Sequence, residues 1–211
     1  MLTLYDYFRS SASFRVRIAL NLKRLDYEKI PVHLINNGGE QHSPYFKKMN
    51  PQELVPVLKD QEKIITQSLA IIEYLDEKYP EPKLLPSELV LKAFSRSIAL
   101  SIAADVHPLN NLRVLNYLQG ELHVSDEQKK HWYHHWMGQS LSALENRLSD
   151  STVSGQFCVG DFPTIADICL VPHVYNARRY HCDMSLYPLL TKIDANCQQH
   201  PAFIHAWPHE S

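Results

Sequence analysis

Three serines near the N-terminus, Ser10, Ser11 and Ser13, are the first side chains of this sequence with the right types and spacing for chemistry. Residues 2–7, just before them, alternate along two faces, which predicts a strand. Apolar side chains then recur at helical spacing, at Ala12, Val16, Ala19 and Leu20. The serines therefore fall at a strand-to-helix turn. The first backbone N–H groups of a helix lack internal partners and, together with the helix dipole, favour an anion.

The hydroxyls at this turn have two interpretations. As binding groups, they can donate hydrogen bonds to a thiolate or a carboxylate. As structural groups, Ser11 or Ser13 is only the N-cap of the helix. The serines alone favour the structural interpretation, so the rest of the chain has to decide between the two.

Composition restricts the class of protein. The 211 residues suffice for one large domain or two small ones, and a hydrophobic content of 45 % suffices for a packed core. With 21 basic and 23 acidic residues the net charge is −2, which gives no electrostatic footprint for nucleic acid. No apolar run reaches the roughly 18 residues of a membrane span, and no secretory signal pattern opens the chain. Four cysteines without CxxC spacing indicate free thiols. We expect a soluble cytoplasmic protein.

The elements that must position the serines form a compact unit at residues 1–80. Another strand is expected at 27–34, on a sheet edge because Pro31 interrupts it. A short helix at 43–49, a hairpin at 55–60 and 62–66, and a helix at 69–79 capped by Ser68 complete a βαβ-ββα order. Ser10, Val55 and the Gln67-Ser68 pair would then meet at one edge. Whether the Val55-Pro56 bond is cis, exposing the Val55 backbone to an extended peptide, or trans stays open on the sequence.

A proline-rich linker at 81–86 separates this unit from an all-helical domain at 87–211. Helices are predicted at 87–105, 108–120 and 125–148, the last capped by Ser125. Thr164 and Asp167 have capping-box spacing at the start of an apolar helix that Pro172 should kink. A last helix begins at Tyr187-Pro188 and ends before His200, and a loosely held tail follows.

Other sources of chemistry are weaker. His131 and His135 are spaced to share a metal ion on one helix, but no third ligand can be placed, and an exposed aromatic-rich helix face is the simpler interpretation. A GxSxG elbow and a phosphate-binding glycine loop are both absent. The cysteines lie among apolar residues and are expected to be structural.

Residues 10–20, Ser-Ser-Ala-Ser-Phe-Arg-Val-Arg-Ile-Ala-Leu, resemble the Ser-Ser-Cys-x-Trp/His-Arg-Val-Arg-Ile-Ala-Leu signature of the zeta-class glutathione transferases. The resemblance extends over nearly the whole chain, through Asn50-Pro51, Val55-Pro56, residues 67–75, residues 84–86, residues 108–112, residues 158–161 and residues 166–172. It implies an α+β fold, with an N-terminal thioredoxin-like domain followed by an all-α domain. It also implies glutathione as cofactor and a homodimer.

The resemblance implies a role for each matching residue. Ser10 would hydrogen-bond the glutathione sulfur, assisted by Ser11 as the second catalytic residue. Val55 would pair with the cysteinyl part, and Gln67 and Ser68 would hold the γ-glutamyl end. The full implied glutathione-binding set is Ser10, Ser11, Ala12, Ser13, Phe14, Arg15, Gln41, Val55, Gln67, Ser68, His107, Asn111, Leu112 and Arg113. The implied substrate-binding residues are Arg15 and Arg179, two cations that suit a dicarboxylate.

Two departures from the class pattern affect the site. Ala12 replaces the class cysteine, so no protein thiol is available there. His107 stands where the family usually has glutamine, which can make that contact sensitive to pH.

The characteristic activity of the class is glutathione-dependent cis–trans isomerisation of maleylacetoacetate to fumarylacetoacetate, in tyrosine and phenylalanine catabolism. We expect this activity here. The alternatives are a general glutathione transferase or α-haloacid dehalogenase, which would use the same thiolate, and a non-catalytic binding protein of the same fold. Only Ala12 favours the last of these.

Overall fold

The computed structural model describes residues 1–209, apart from the side chain of Asn37. It divides the chain into two compact units. One comprises Met1–Leu84 together with the C-terminal segment that begins at Gln199, and the other comprises Leu85–Gln198. No helix of residues 1–209 is long and apolar enough to span a membrane.

The first unit is a four-stranded mixed sheet with helices. Its elements are, in order, β1 (Leu2–Asp6), α1 (Ser11–Leu22), β2 (Tyr27–Pro31), α2 (Pro44–Met49), β3 (Val57–Asp60), β4 (Lys63–Thr66) and α3 (Ser68–Lys78). The strand order is β2-β1-β3-β4, with β1 parallel to β2 and antiparallel to β3. The predicted βαβ-ββα order is confirmed, and β2 is an edge strand as expected from Pro31. It ends at that proline rather than at Leu34.

A buried ion pair connects β1 to the turn that carries the serines. Arg17 Nη1 lies 2.6 Å from Asp6 Oδ1, and both side chains are almost wholly buried. The same guanidinium donates to the carbonyl of Phe8 and to the carbonyl of Ala206, each at 3.0 Å. The guanidinium donates hydrogen bonds to three separate segments of the chain. It therefore fixes the backbone at Phe8, two residues before Ser10.

The C-terminal segment differs from its prediction. The sequence predicts a loosely held tail after a last helix that ends before His200, but Pro201–Ala206 form a helix, α10, that packs on α1. Asn21 Nδ2 donates to the carbonyl of Ala202, and Phe203 is fully buried. The prediction of a loose tail is therefore wrong for residues 201–206, while Glu210 and Ser211 lie outside the described residues.

A lysine anchors the segment that leads out of the first unit. The Nζ of Lys23 lies 2.5 Å from Asp76 Oδ1 and 2.6 Å from the carbonyls of Tyr79 and Pro82. Asp76 also accepts from the amide of Leu84. A buried ammonium needs such a set of acceptors, so this residue ties α3 to the proline-rich segment after it.

The second unit is helical, with α4 (Leu89–Leu100), α5 (His107–Leu109), α6 (Leu112–Gly120), α7 (Asp126–Ser149), α8 (Ile165–Arg179) and α9 (Pro188–Cys197). A π-helical turn, Ser101–Val106, joins α4 to α5. The predicted caps are confirmed, since Ser125 and Thr164 each form a capping box, with Gln128 and Asp167 respectively. Sequence analysis predicted one helix over 108–120, but α5 ends at Leu109 with Asn110 as its C-cap, and Asn111 is the N-cap of α6.

Candidate functional site

The strand register places three predicted site segments at one edge of the sheet. Tyr5 on β1 pairs with Val57 on β3, and Val57 pairs in turn with Thr66 on β4. The end of β1, the start of β3 and the end of β4 therefore lie side by side. The turn to Ser10, the residue pair Val55-Pro56 and the start of α3 continue from these three positions, as the sequence predicted.

Ser10 is the N-cap of α1. Its Oγ accepts from the amide of Ser13 at 3.2 Å, and its carbonyl accepts from the amide of Phe14 at 2.8 Å. The interpretation that Ser11 or Ser13 caps the helix is therefore wrong. Both of those serines are buried, whereas Ser10 is half-buried. A serine hydroxyl has one donor hydrogen and two lone pairs, so capping leaves the hydrogen of Ser10 available to a ligand.

Next along α1, Ala12 is partly exposed, and Phe14 packs edge-on against Trp207. Arg15 is 2 % exposed and donates from Nη1 to Ser68 Oγ at 3.3 Å. This contact joins α1 to the first turn of α3. Arg15 is therefore placed to support the second helix start, and its contact with substrate stays a prediction.

The Val55-Pro56 bond is cis, one of the two alternatives that the sequence left open. Pairing of β3 begins at Val57, and neither backbone group of Val55 forms a hydrogen bond with another part of residues 1–209. A backbone amide and carbonyl at the end of a strand are the groups with which an extended peptide pairs.

The start of α3 is open to an anion. Gln67, not Ser68 as predicted, is the N-cap residue; it has φ 70° and ψ 117°, and its side chain does not cap the helix. That side chain instead donates to Gln52 Oε1 at 2.8 Å. The first intrahelical bond runs from Ile71 to the Gln67 carbonyl, so the three amides before Ile71 have no acceptor among the described residues. The first turn of α3 contains no acidic residue.

Gln41 lies in the loop that follows β2. Its side chain is held over the backbone of Gly39, which has φ 100°; a Cβ at that glycine would lie 2.5 Å from Gln41 Nε2. Gln41 is 8 % exposed, and its Nε2 donates to the carbonyl of Leu34 at 3.4 Å and contacts His42 Nε2 at 3.0 Å.

The second unit holds the remaining predicted contacts. Asn111 caps α6 through the amide of Arg113 at 3.1 Å, while Leu112 and Arg113 are exposed on its first turn. His107 begins the helix before it. Arg179 is exposed in the last turn of α8, with its guanidinium carbon 5.3 Å from the ring centre of Tyr180. The glutathione and substrate contacts of these residues stay predictions.

Sequence reasoning missed several residues that support or border this edge. Gln52 accepts a hydrogen bond from the Gln67 side chain, and His42, which contacts Gln41, pairs with Glu53. These residues gave no signal in the sequence because each is a single polar residue in a loop. Arg9 is exposed, with its guanidinium carbon 4.9 Å from the Phe8 ring centre. Its position directly before Ser10 was the one available signal.

The weaker candidates of the sequence are two histidines on α7 and the cysteines. His131 and His135 are exposed on α7, and the described residues contain no group of three or more His, Cys, Asp or Glu side chains fit to hold a metal ion. Cys158, Cys169 and Cys197 are buried, and burial raises the pKa of the Cys158 and Cys197 thiols. High thiol pKa values disfavour the reactive thiolate, which agrees with a structural role.

Comparisons with known proteins identify the family of this chain. The family described as "Glutathione S-transferase, N-terminal domain" matches residues 4–83, and the family "Glutathione S-transferase, C-terminal domain" matches residues 124–201. A protein of Vibrio cholerae named probable maleylacetoacetate isomerase is 52 % identical over 98 % of this chain and 95 % of its own length.

Two solved structures cover almost the whole chain. The holo structure of maleyl pyruvate isomerase, described as a bacterial zeta-class glutathione S-transferase, has a TM-score of 0.94 at 40 % identity, over 98 % of this chain and 96 % of that one. Maleylacetoacetate isomerase from Methylobacterium extorquens AM1, solved with malonate and glutathione, has a TM-score of 0.94 at 37 % identity, over the same shares. From the matched domains, the full-length identity and the shared fold, this chain belongs to the zeta class of the glutathione S-transferase family.

Proposed function

We propose that this protein catalyses the glutathione-dependent cis–trans isomerisation of maleylacetoacetate to fumarylacetoacetate. The observation that carries the proposal is the meeting of the Ser10 cap, the unpaired Val55 backbone and the open start of α3 at one edge of the sheet. Each of the three offers the type of group that one part of glutathione requires.

The residues at this edge fit glutathione chemically. The three amides at the start of α3, with the Ser68 hydroxyl, suit the carboxylate of the γ-glutamyl end. The Val55 backbone suits the cysteinyl peptide unit. The Ser10 hydroxyl hydrogen is not used by the cap, so it suits the sulfur. Gln41, with its buried amide, is proposed for the glycyl end.

When bound, glutathione supplies a thiolate that adds to the conjugated double bond and leaves after the bond has rotated. Ser10 donates its hydroxyl hydrogen to the sulfur, which favours the ionised form of the thiol. The α1 dipole acts in the same direction because the sulfur would sit at the helix N-terminus. The buried guanidinium of Arg17 holds the carbonyl of Phe8, so the turn before Ser10 keeps its shape through the reaction.

The remaining roles follow the class pattern. We propose that His107, Asn111, Leu112 and Arg113 contribute further glutathione contacts, and that Arg179, with Arg15, balances the two carboxylates of the substrate. Arg9 is a further exposed cation beside Ser10 and is proposed for the same task. We also propose that the protein acts as a homodimer in the cytoplasm.

The decisive experiment follows the loss of maleylacetoacetate absorbance with purified protein, with and without glutathione. Conversion that requires glutathione is the expected result. Binding of glutathione without conversion would contradict the isomerase and indicate a transferase or dehalogenase. Maleylpyruvate is the second substrate to test, because one of the two solved structures with a TM-score of 0.94 is a maleyl pyruvate isomerase. The ratio of the two kcat/KM values assigns the preferred acid.

Replacing Arg179 by alanine tests the substrate anchor. A lost charge-assisted hydrogen bond should raise KM for the dicarboxylate about tenfold while kcat changes little. Arg147→Ala is the matched control, because Arg147 is an exposed helical arginine that bonds the Ser97 hydroxyl. Equal KM values in the two variants would remove Arg179 from the site.

A further inference from the structure

The loop between β2 and α2 is held in a defined shape by its own side chains. Glu40 accepts the amide of His33 at 2.6 Å, and the His33 carbonyl accepts the amide of Glu40 at 2.8 Å. His33 Nδ1 accepts the amides of Ile35 and Asn36 at 3.2 and 2.9 Å. The loop therefore closes on itself just before Gln41, which fixes the backbone from which that side chain extends.

Both hydrogens of the Gln41 side-chain amide are directed to acceptors within the protein. One points to the carbonyl of Leu34, which can only accept, and the other contacts Nε2 of His42. The amide oxygen Oε1 is buried and has no hydrogen-bond partner among the described residues. In this orientation Gln41 offers an acceptor to a ligand. A carboxylate also only accepts, so the two groups would repel.

His42 is in turn held by an acidic residue. Its Nδ1 forms a short hydrogen bond with Glu53 Oε2, and Lys47 Nζ lies 3.2 Å from the other oxygen of Glu53. The hydrogen bond from His42, reinforced by Lys47, holds the pKa of Glu53 below its usual range. A proton on His42 Nδ1 is therefore directed to Glu53, and only Nε2 is left to change between acceptor and donor.

We propose that His42, held by Glu53, is a positioning residue that sets which end of the Gln41 amide faces the glycyl carboxylate of glutathione. With a neutral imidazole, His42 Nε2 accepts from Gln41 and the amide oxygen faces the ligand. With a second proton, Nε2 becomes a donor and requires the amide oxygen. The amide then turns over, gives up its 3.4 Å hydrogen bond to the Leu34 carbonyl, and presents its NH2 group to the carboxylate. The inference rests on the proposed function, since it takes Gln41 as a glutathione contact.

The charges described around His42 determine the direction of the effect. Glu53 faces it from the loop after α2, Lys47 faces Glu53 from α2, and the carboxylate of Glu40 on the same turn is directed to the His33 amide. Histidine side chains change charge between pH 5 and 8. Glutathione should therefore bind more tightly at the acidic end of that range, through its glycyl end.

Calorimetric titration with S-methylglutathione from pH 5.5 to 7.5 tests the proposal without ionisation of a ligand thiol. The expected result is a dissociation constant about tenfold lower at pH 5.5 than at pH 7.5, the size of one charge-assisted hydrogen bond. In His42→Phe the pH dependence should disappear. In Glu53→Gln the pH dependence should weaken, because a neutral amide holds the His42 ring less firmly than a carboxylate does.

Two controls separate this effect from others. Replacing His131, an exposed histidine on α7, by phenylalanine should keep the wild-type pH dependence. The glycyl monoethyl ester of S-methylglutathione carries no charge at that end and should bind with little pH dependence.

Each outcome decides one question. A pH dependence that is lost in His42→Phe and with the ester supports the proposal. Binding with the same affinity at all pH values, or a pH dependence that His42→Phe retains, overturns it and leaves the proposed function intact. Failure of wild-type protein to bind S-methylglutathione at any pH overturns the proposed function itself.

Discussion

The starts of α3 and α8 differ in how the free backbone amides of the first helical turn are satisfied. At α8, Thr164 and Asp167 satisfy the helix end from within: Asp167 is fully buried and accepts from the Thr164 amide, the Thr164 hydroxyl and the Cys158 amide, at 2.8 to 3.0 Å. At α3, the first turn has no acid, the N-cap side chain does not cap, and Ser68 accepts from Arg15. The α8 start therefore has its own anion beside the backbone amides, whereas the first amides of α3 have no acceptor among the described residues.

This contrast separates a helix end whose amides are satisfied by its own side chains from one that we propose for binding. Burial raises the pKa of Asp167, because moving a carboxylate out of water has a free-energy cost. Three hydrogen bonds offset that cost, so the α8 start contributes to folding. Gln67 at α3 adopts a φ of 70°, a conformation that non-glycine residues rarely occupy.

The largest expected effect is a loss of stability at the start of α8, where Thr164 and Asp167 form the capping box. Asp167→Ala removes one carboxylate and leaves three buried donors without an acceptor, which should lower the free energy of unfolding by about 4 kcal/mol. Urea unfolding followed by circular dichroism measures this loss. Activity per folded molecule should stay near the wild-type value at low temperature. A loss below 1 kcal/mol would show that the capping box is not a main source of stability.

Ser10→Ala should show the reverse balance. Turnover should fall at least tenfold because the sulfur loses its hydrogen-bond donor, while loss of the cap should cost only about 1 kcal/mol of stability. Single-turnover rates and urea unfolding on the same preparation separate the two effects. Equal turnover in wild type and variant would remove Ser10 from the mechanism.

Ser68→Ala tests the open start directly. Loss of one hydroxyl, and of the partner of Arg15, should raise KM for glutathione several-fold with kcat little changed. Ser125→Ala is the matched control, because Ser125 is an exposed cap of α7 whose loss should cost about 1 kcal/mol and leave KM unaltered. A KM change of the same size in both variants would mean that general destabilisation is the cause.

The sequence predicted the start of α8 correctly and the N-cap of α3 incorrectly, for a physical reason. The spacing of Thr164 and Asp167 is itself the capping interaction, so the α8 start was correctly placed. The position of Gln67 as N-cap depends on a positive φ, which no composition pattern reveals. The sequence therefore predicts Ser68 as the cap instead. Helix α10 was missed because six residues give little periodic signal. Tertiary contacts hold it, through Arg17 and Asn21.

The candidate site likewise contains a part that the sequence predicted and a part that it did not. Alternation and helical spacing placed Ser10, Val55 and Ser68 at one sheet edge, because strand register follows from those patterns. The surroundings of Gln41 could not be predicted. They depend on the positive φ of Gly39 and on His42 meeting Glu53 from the other end of α2.

The smallest expected effect concerns the position where the class signature has cysteine. If the open helix starts supply the binding groups and glutathione supplies the only sulfur, Ala12→Cys should change kcat/KM for maleylacetoacetate by less than a factor of two. Ala12 is a partly exposed helical residue, so the added sulfur fits without repacking and unfolding should be unaffected. Kinetic assays of the two proteins side by side measure the ratio. Activity confined to the cysteine variant would show that a protein thiol takes part, because Ser10 and the helix dipole are identical in both proteins.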